Sequence, residues 1–371
     1  MKRTVSFIAK EEGASLVELL VAMAIVIIVV TMNTGTIDMI VKQSRQQTQS
    51  VASAMDRLVG LEMLRADAEL AGFGLPWSFQ GAISYSEAAG ASQGAYNDSP
   101  SNPPRPVLTG NNTGYNGSDY LVIKSTAVGF SDTSQKWSHL SNGSAAARMW
   151  GTAKDLAVNE RVVVIWPSAS GGFDRQLVMN GTAFSTSVSD SAGTIPVNFR
   201  PPSSAASYIV YGVDPAANLR MPFNRADYYV ARPDPMPQGC APGTGILYKS
   251  TVSHTDGSTA NPLPLLDCVA DMQVVFRLDA NLDGIIDTES NNISALTAQN
   301  VRQQVKEMRI YILSHEGERD GMFSYQGGST VTVGEFGLGR NIDLSVIAGS
   351  GWRNYRWKLS SLVIRTKNIL N

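Results

Sequence analysis

Gly13-Ala14-Ser15-Leu16-Val17-Glu18-Leu19-Leu20-Val21-Ala22-Met23-Ala24-Ile25-Val26-Ile27-Ile28-Val29-Val30 is an apolar run with one carboxylate near its start, Glu18. A charged side chain in a membrane segment is expensive, roughly 2.5–3.5 kcal/mol at mid-bilayer on insertion scales. A chain that keeps one there has a use for it. The preceding residues carry Lys2, Arg3 and Lys10 and end in Glu11-Glu12-Gly13. Two ordinary readings compete. A secretory signal has a basic start, an apolar core and a small-residue cut site after the core. Here Thr31-Met32-Asn33-Thr34-Gly35-Thr36 follows without such a site, and signal cores rarely hold a glutamate. A plain anchor over 14–32 would be about 28 Å long at 1.5 Å per residue, just enough to span. That reading leaves Glu18 and the Gly13 junction unexplained.

The helical pattern continues beyond Met32. Apolar residues recur at Ile37, Ile40, Val41, Val51, Met55, Leu58, Val59, Met63 and Ala66, with Lys42, Arg45, Asp56, Arg57, Glu62 and Arg65 among the polar residues between them. Steps of three and four predict an amphipathic helix. No proline interrupts before Pro76, so a helix from Ala14 to Ala68 would reach roughly 80 Å. Gly35 and Gly60 each cost about 1 kcal/mol relative to alanine, and Gly35 reads as a soft point between the two halves.

After Gly72-Phe73-Gly74-Leu75-Pro76 the pattern changes. Residues 88–118 are rich in Ser, Asn, Gly and Pro and read as a long surface loop. Short β-type runs follow at 120–123, 161–166, 208–211, 227–230, 246–248, 272–278, 308–313 and 359–365, punctuated by Gly and Pro turns. Residues 290–304 read as a short helix. Strands do not alternate with long helices, which argues against a doubly wound parallel sheet. The expected class is α+β: a long amino-terminal helix, transmembrane and then amphipathic, followed by a mainly antiparallel β-rich head. The expected organisation is a basic stretch over 1–13, an apolar transmembrane helix over 14–32, an amphipathic helix over 33–75 and a globular head over 76–371.

Composition narrows the function. The chain has 371 residues, a formal net charge of −2 and a charged fraction of 17%, so it lacks the basic footprint of nucleic-acid binding. Two cysteines, Cys240 and Cys268, lack C-x-x-C spacing and zinc-like spacing with His139, His254 or His315. Beyond an inner membrane an even pair suggests one disulfide, closing a loop of roughly 30 residues and contributing about 3 kcal/mol. Two free buried thiols are the alternative. Catalytic signatures are absent: Ser168-Ala169-Ser170-Gly171-Gly172 lacks nucleophile-elbow spacing, and no G-x-x-x-x-G-K or H-E-x-x-H occurs. Gly243-Thr244-Gly245 reads as a turn. The expectation is a protein that is not an enzyme, with its Trp and Tyr residues in the core and at interfaces; an exposed cluster of them would serve adhesion.

One loop carries ligand chemistry. In Asp279-Ala280-Asn281-Leu282-Asp283-Gly284-Ile285-Ile286-Asp287-Thr288-Glu289-Ser290, hard oxygen ligands stand at Asp279, Asn281 and Asp283. A turn glycine follows, then a candidate carbonyl from Ile285, then Asp287. The twelfth place is Ser290, with Glu289 one residue early. The loop reads either as a Ca2+ site or as a metal-free acidic Asp-Gly hairpin turn.

The Glu12-Gly13-Ala14 junction with Glu18 and its apolar run resembles the class III signal of type IV prepilins and pseudopilins. Four later stretches resemble the PilW family of minor pilins, related to the J-type minor pseudopilin of type II secretion. They are Leu64 to Gly74; Tyr228-Tyr229-Val230 with Cys240 to Tyr248; Val274 to Asp279; and Tyr355 to Lys358 with Val363 to Asn368. One departure is Ala14, where the family usually has phenylalanine or methionine. The resemblance implies that 1–13 is a leader, that prepilin peptidase cuts between Gly13 and Ala14, that the new terminus is methylated and that 14–32 is a transmembrane or filament-core helix. It also implies that Glu18, fifth in the mature chain, neutralises the α-amino group of a neighbouring subunit. The implied partners are other minor and major pilins, the inner-membrane assembly platform and a tip adhesin. The implied location is a single pass of the inner membrane with the head in the periplasm, then the cell surface. The rival readings are a J-type pseudopilin, a membrane-anchored periplasmic enzyme or binding protein, and a surface adhesin.

Overall fold

The computed structural model describes residues 15–167, 174–202, 207–365 and 368; within them the side chains of residues 32–43, 45–47, 49–53, 56, 260 and 261 are outside the description. The expected cleavage junction Gly13/Ala14 therefore lies outside the described residues, as do the side chains of Ile37, Ile40, Val41 and Val51. The chain divides into two compact units, Met1–Val51 and Ala52–Asn371. A helix, α1 (Leu16–Glu69), contributes to both, and each unit is taken by itself.

In the first unit the large apolar side chains from Leu16 to Val30 are all at least 50% exposed. A stretch apolar all round suits an apolar surrounding rather than water. Among the described residues, however, no helix is long and apolar enough to cross a membrane. The described side chains of this run occupy 15–31, so Ala14 and the side chain of Met32, the ends of the expected span, lie outside the description.

The second unit is built of β1 (Ser78–Phe79), β2 (Val107–Gly110), β3 (Tyr120–Ser125), β4 (Trp137–Leu140), β5 (Arg161–Pro167), β6 (Arg175–Leu177), β7 (Thr186–Ser187) and β8 (Tyr208–Asp214). It continues through β9 (Asn224–Ala231), β10 (Gly245–Val252), β11 (Thr259–Leu278), β12 (Thr288–Ser290), β13 (Val305–Glu316), β14 (Thr330–Val333), β15 (Arg340–Asp343) and β16 (Arg356–Ile364). The short helices are α2 (Ala91–Gly94), α3 (Ala298–Gln304) and α4 (Leu344–Ala348). All eight β-type runs fall on strands, because β-branched and aromatic residues fit a half-buried pleated surface.

The larger sheet has the order β16-β13-β11-β10-β9-β3-β2, with β12 on β11, and every pair in it is antiparallel. The smaller has the order β1-β6-β5-β8-β4, with β7 on β5; only β1 and β6 run parallel. β14 and β15 form a separate hairpin. The mixed α+β class with mainly antiparallel sheets is thus as the sequence implies.

The carboxyl-terminal part of α1 packs on the larger sheet, but of the expected stripe only Met63 takes part. Leu61, Leu64, Ala68 and, just beyond the helix, Ala71 join Leu121, Ile123, Ala226, Tyr228, Leu247 and Leu265 in one core. Met55, Leu58 and Val59 are exposed instead. Gly60 explains the choice of face: a Cβ there would overlap the carbonyl oxygen of Leu265 in β11. Small residues let the helix backbone approach the sheet, and a stripe judged by side-chain bulk points the wrong way.

Two other segments differ from expectation. Residues 88–118 are not simply a surface loop: all of β2 is buried and so is Asp98. Residues 290–304 hold the end of β12 and then α3, whose start is capped by Thr297 accepting the N–H of Asn300.

Candidate functional site

Glu18 lies in the first turn of α1. Its Oε2 accepts the N–H of Ser15 at 3.0 Å, while the Ser15 hydroxyl accepts the N–H of Val17 at 3.4 Å. With Ser15 as N-cap, Glu18 stands three residues on, and the pair forms a variant of the Ser-x-x-Glu capping box. The free N–H groups at a helix start need partners, and a carboxylate there also faces the positive end of the helix dipole. This signal is present in the spacing Ser15-x-x-Glu18, and a reading directed at the membrane cost of the carboxylate passes over it. Glu18 therefore has a local structural role within the chain, independent of any neighbouring subunit.

The acidic loop is gathered into one tight turn. Asp279 accepts the N–H groups of Asp283 at 3.0 Å and Gly284 at 2.9 Å, and its carboxylate lies 3.3 Å from Lys306 Nζ. Asp283 accepts from Ile285 N–H and from the Asn281 side-chain amide. Asp287 accepts from Ala280 and Asn281 N–H, and these bonds hold its pKa below the usual carboxylate value. Leu282 and Gly284 take positive φ, 63° and 90°, to make the turn. Glu289 is turned away onto Arg277 across the β11–β12 pair. Among the described residues no group of three or more His, Cys, Asp or Glu side chains is arranged to hold a metal ion. The carboxylates accept the turn's own backbone N–H groups.

Cys240 and Cys268 form a disulfide with Cα atoms 4.9 Å apart and a sequence separation of 28, which removes the free-thiol alternative. Cys268 sits inside β11 with φ 57°, where the register against β10 shifts between Leu247↔Leu266 and Gly245↔Val269. The bond pins this bulge. Beside it the N–H of Ala241 donates to His315 Nε2 at 2.9 Å, which places the ring proton on Nδ1. Burial pushes His315 down to about 4. His254 is also pushed down to about 4 by burial; its Nδ1 accepts the Arg220 N–H and its Nε2 bonds Asn224 Oδ1. Both rings are buried and neutral at pH 7. His139 lies apart in the smaller sheet, so the three histidines form no common site.

A buried ionic network is the strongest electrostatic feature that sequence reasoning missed. Lys124 in β3 lies 2.7 Å from both Glu87 and Asp98. Arg225 in β9 pairs with Asp227 at 2.7 Å and reaches Glu87 at 3.4 Å. Arg105 closes on Asp98 at 2.7 Å, and Tyr120 donates to Asp227 at 2.7 Å. Three cations face three carboxylates, so the charge balances. Buried charges persist only when paired and hydrogen-bonded. The network holds residues 87–105 against the larger sheet. A second buried group joins α1 to the sheet: Asp67 accepts from Tyr228 and pairs with Lys249, and burial raises the Asp67 pKa against the pull of Lys249. These pairs anchor residues 87–105 and the end of α1 to the larger sheet.

No protein-family model matches the chain, and no curated relative matches it. Among solved structures it aligns with "Type IV-like pilin TTHA1219 from Thermus thermophilus", at 17% identity over 40% of this chain and 70% of that one, with a TM-score of 0.22. An overlap that small carries no argument about this chain.

Proposed function

We propose that this chain is a type IV pilin-class subunit, and within that class a minor pilin that primes a type IV pilus or sits at its tip. The observation that carries the reading is the Gly13-Ala14 junction followed at Glu18 by a lone carboxylate in an apolar run. Support comes from the exposure of that run from Leu16 to Val30, which calls for lipid or a bundle of other helices around it. In this reading prepilin peptidase cuts after Gly13, and the segment over 14–32 holds the subunit in the inner membrane with its head in the periplasm. During assembly the segment leaves lipid for the helical core of the filament, where Glu18 meets the amino terminus of a neighbour. A carboxylate moved from water into that core without such a partner would be strongly unfavourable. The head contributes packing surface, not catalysis. Ca2+ is a candidate ligand of the Asp279 turn, because each carboxylate oxygen that accepts an N–H there keeps a second lone pair.

The test is the mass of the amino-terminal peptide of the protein from its native host, with and without prepilin peptidase. A peptidase-dependent peptide beginning at Ala14 supports the pilin reading. An intact Met1, or a cut beyond Met32, overturns it. Loss of piliation without loss of type II secretion on deletion then favours the pilus over the secretion alternative.

A further inference from the structure

Lys124, Glu87 and Asp98 bring one amine and two carboxyl groups together in the interior of the head. Lys124 Nζ lies 2.7 Å from Glu87 Oε2 and 2.7 Å from Asp98 Oδ2. The side chains of Lys124 and Glu87 are fully buried, and that of Asp98 is 5% exposed. The Phe223 ring covers the amine, its centre 5.5 Å from Nζ. Among the described residues Lys124 alone pairs with two carboxylates; Lys136, Lys249, Lys306 and Lys358 each pair with one.

The two carboxyl groups are held in different ways. Glu87 Oε1 accepts the N–H of Asp98 at 2.6 Å and of Ser99 at 3.2 Å, which leaves Oε2 to the amine. Asp98 Oδ1 accepts from Arg105 Nε at 2.7 Å, while Oδ2 accepts from the Arg105 backbone N–H at 2.8 Å and from Lys124. Arg105 Nε is thus aimed at the oxygen where negative charge grows when the Asp98 carboxyl carbon is attacked. An amine at hydrogen-bond distance from a carboxyl oxygen has the carboxyl carbon close to near-attack range, roughly 3–3.5 Å. Lysine is also the one cation of the network able to act as a nucleophile. A buried lysine gives up its proton, whereas Arg105 and Arg225 keep theirs.

We propose that Lys124 and Asp98 condense to an amide within the folded head, with Glu87 carrying the proton. Glu87 moves a proton from the Lys124 ammonium to Asp98 Oδ2, which makes a neutral amine and a neutral carboxylic acid. The amine attacks the carboxyl carbon, and the oxyanion forms on Oδ1 beside Arg105. Oδ2 then takes a second proton from the nitrogen, its bond to carbon breaks, and it leaves as water. Nothing else is consumed, and Glu87 ends as it began. One ammonium and one carboxylate vanish together, so two cations and two carboxylates remain in the network. A pair of charges that is costly to bury becomes a neutral amide. A cavity of about 340 Å3 bordered by Asp98 and Arg105 receives the water. The link joins residues 26 apart and fastens the segment before β2 to β3. The proposal concerns the head alone and does not rest on the pilin reading.

The test is the mass of tryptic peptides from the full chain, reduced and alkylated. Arg105 precedes Pro106, where trypsin does not cut, so an unlinked chain yields 66–124 and 125–136. A linked chain is not cut at the acylated Lys124 and yields 66–136, lighter by one water. Further cleavage after Tyr115 leaves the two halves of that peptide attached. Wild type is expected to give the linked peptide, with Lys136 and Lys249 cut normally. Glu87→Gln keeps an acceptor for the N–H groups of Asp98 and Ser99 but carries no proton, so the linked fraction should fall at least about tenfold. Lys124→Arg keeps the charge and should show no loss of water. Circular dichroism establishes whether each variant is folded; where one is not, the wild-type peptide decides alone. Recovery of 66–124 from wild type, with no lighter 66–136, overturns the proposal and leaves the three groups as an ion-paired cluster. Linkage in folded Glu87→Gln at the wild-type level overturns the part given to Glu87.

Discussion

Glu18 and Asp67 are carboxylates on one helix, and the structure holds them in opposite ways. Glu18 is exposed and accepts the N–H of Ser15, one turn of backbone away. Asp67 is buried and accepts from Tyr228 and pairs with Lys249, on two different strands. Around Glu18 the large apolar side chains face outward, whereas around Asp67 the helix presents Leu64, Ala68 and the close approach at Gly60 to the sheet. The difference shows that a helix can be specified by its own ends in one stretch and by a distant sheet in another. A change at Asp67 is therefore a change to the fold of the head. A change at Glu18 leaves the head untouched and acts on whatever the apolar stretch meets.

The sharpest way to break this contrast is Lys249→Met, which leaves Asp67 buried without its cation. Removing one member of a buried pair costs about 3–5 kcal/mol, so the urea midpoint of the head should fall steeply. An unchanged midpoint would mean that Asp67 is not held by charge. Gly60→Ala comes next. Its new methyl meets the backbone of Leu265, which cannot swing aside, and overpacking of this kind costs about 1–3 kcal/mol. In an unpacked helix the same change would stabilise by about 1 kcal/mol, so the sign of the shift in urea unfolding decides whether the helix presses on the sheet.

A pH series sharpens the contrast further, because the strongly shifted groups belong to the head. His254 and His315 titrate near 4 when folded and near 6.5 when unfolded. Between those values the unfolded chain binds more protons, so stability rises with pH and is lost on acidification, by up to about 3 kcal/mol per ring. Asp119, pushed up to about 6 by burial, acts in the reverse direction: the folded head holds its proton above 3.8, so stability falls as pH rises toward 6 and is regained on acidification. The histidines outweigh it. The double variant His254→Asn, His315→Gln should lose at most half as much stability between pH 7 and pH 5 as the wild type, read from urea midpoints at the two values. The smallest effect belongs to Glu18. Glu18→Gln keeps a side-chain acceptor for Ser15, while Glu18→Ala removes it and costs the helix start about 1 kcal/mol or less; neither should move the head's midpoint. If filament assembly needs the negative charge, both variants fail to assemble; if it needs only the cap, Glu18→Gln assembles normally.

Much of the β architecture is legible locally. Runs such as Arg161–Trp166 and Met308–Leu313 carry the β-branched and aromatic residues that a pleated core takes, and they lie where the strands are. The cysteine pair is legible because two cysteines allow one bond. The buried network is not legible, because its members are scattered: Glu87 meets Arg225, 138 residues away, and Asp98 and Arg105 lie within a segment whose composition looks solvated. The packing stripe of α1 fails for another reason. Met55, Leu58 and Val59 form an apolar face as regular as the true one, and periodicity does not say which face has small enough residues to approach a sheet. The Asp279 loop is legible as a turn, but the same spacing of carboxylates serves a metal or the loop's own backbone.

The single disulfide has a kinetic consequence. With Cys240 and Cys268 the only cysteines in the chain, no wrong intramolecular pairing exists, and an isomerase has nothing within the chain to correct. Maturation of the head depends on an oxidant meeting two thiols brought together at the bulge of β11. A host short of oxidant would accumulate a reduced head whose longest strand lacks its fastening, and supplying oxidant alone would restore it.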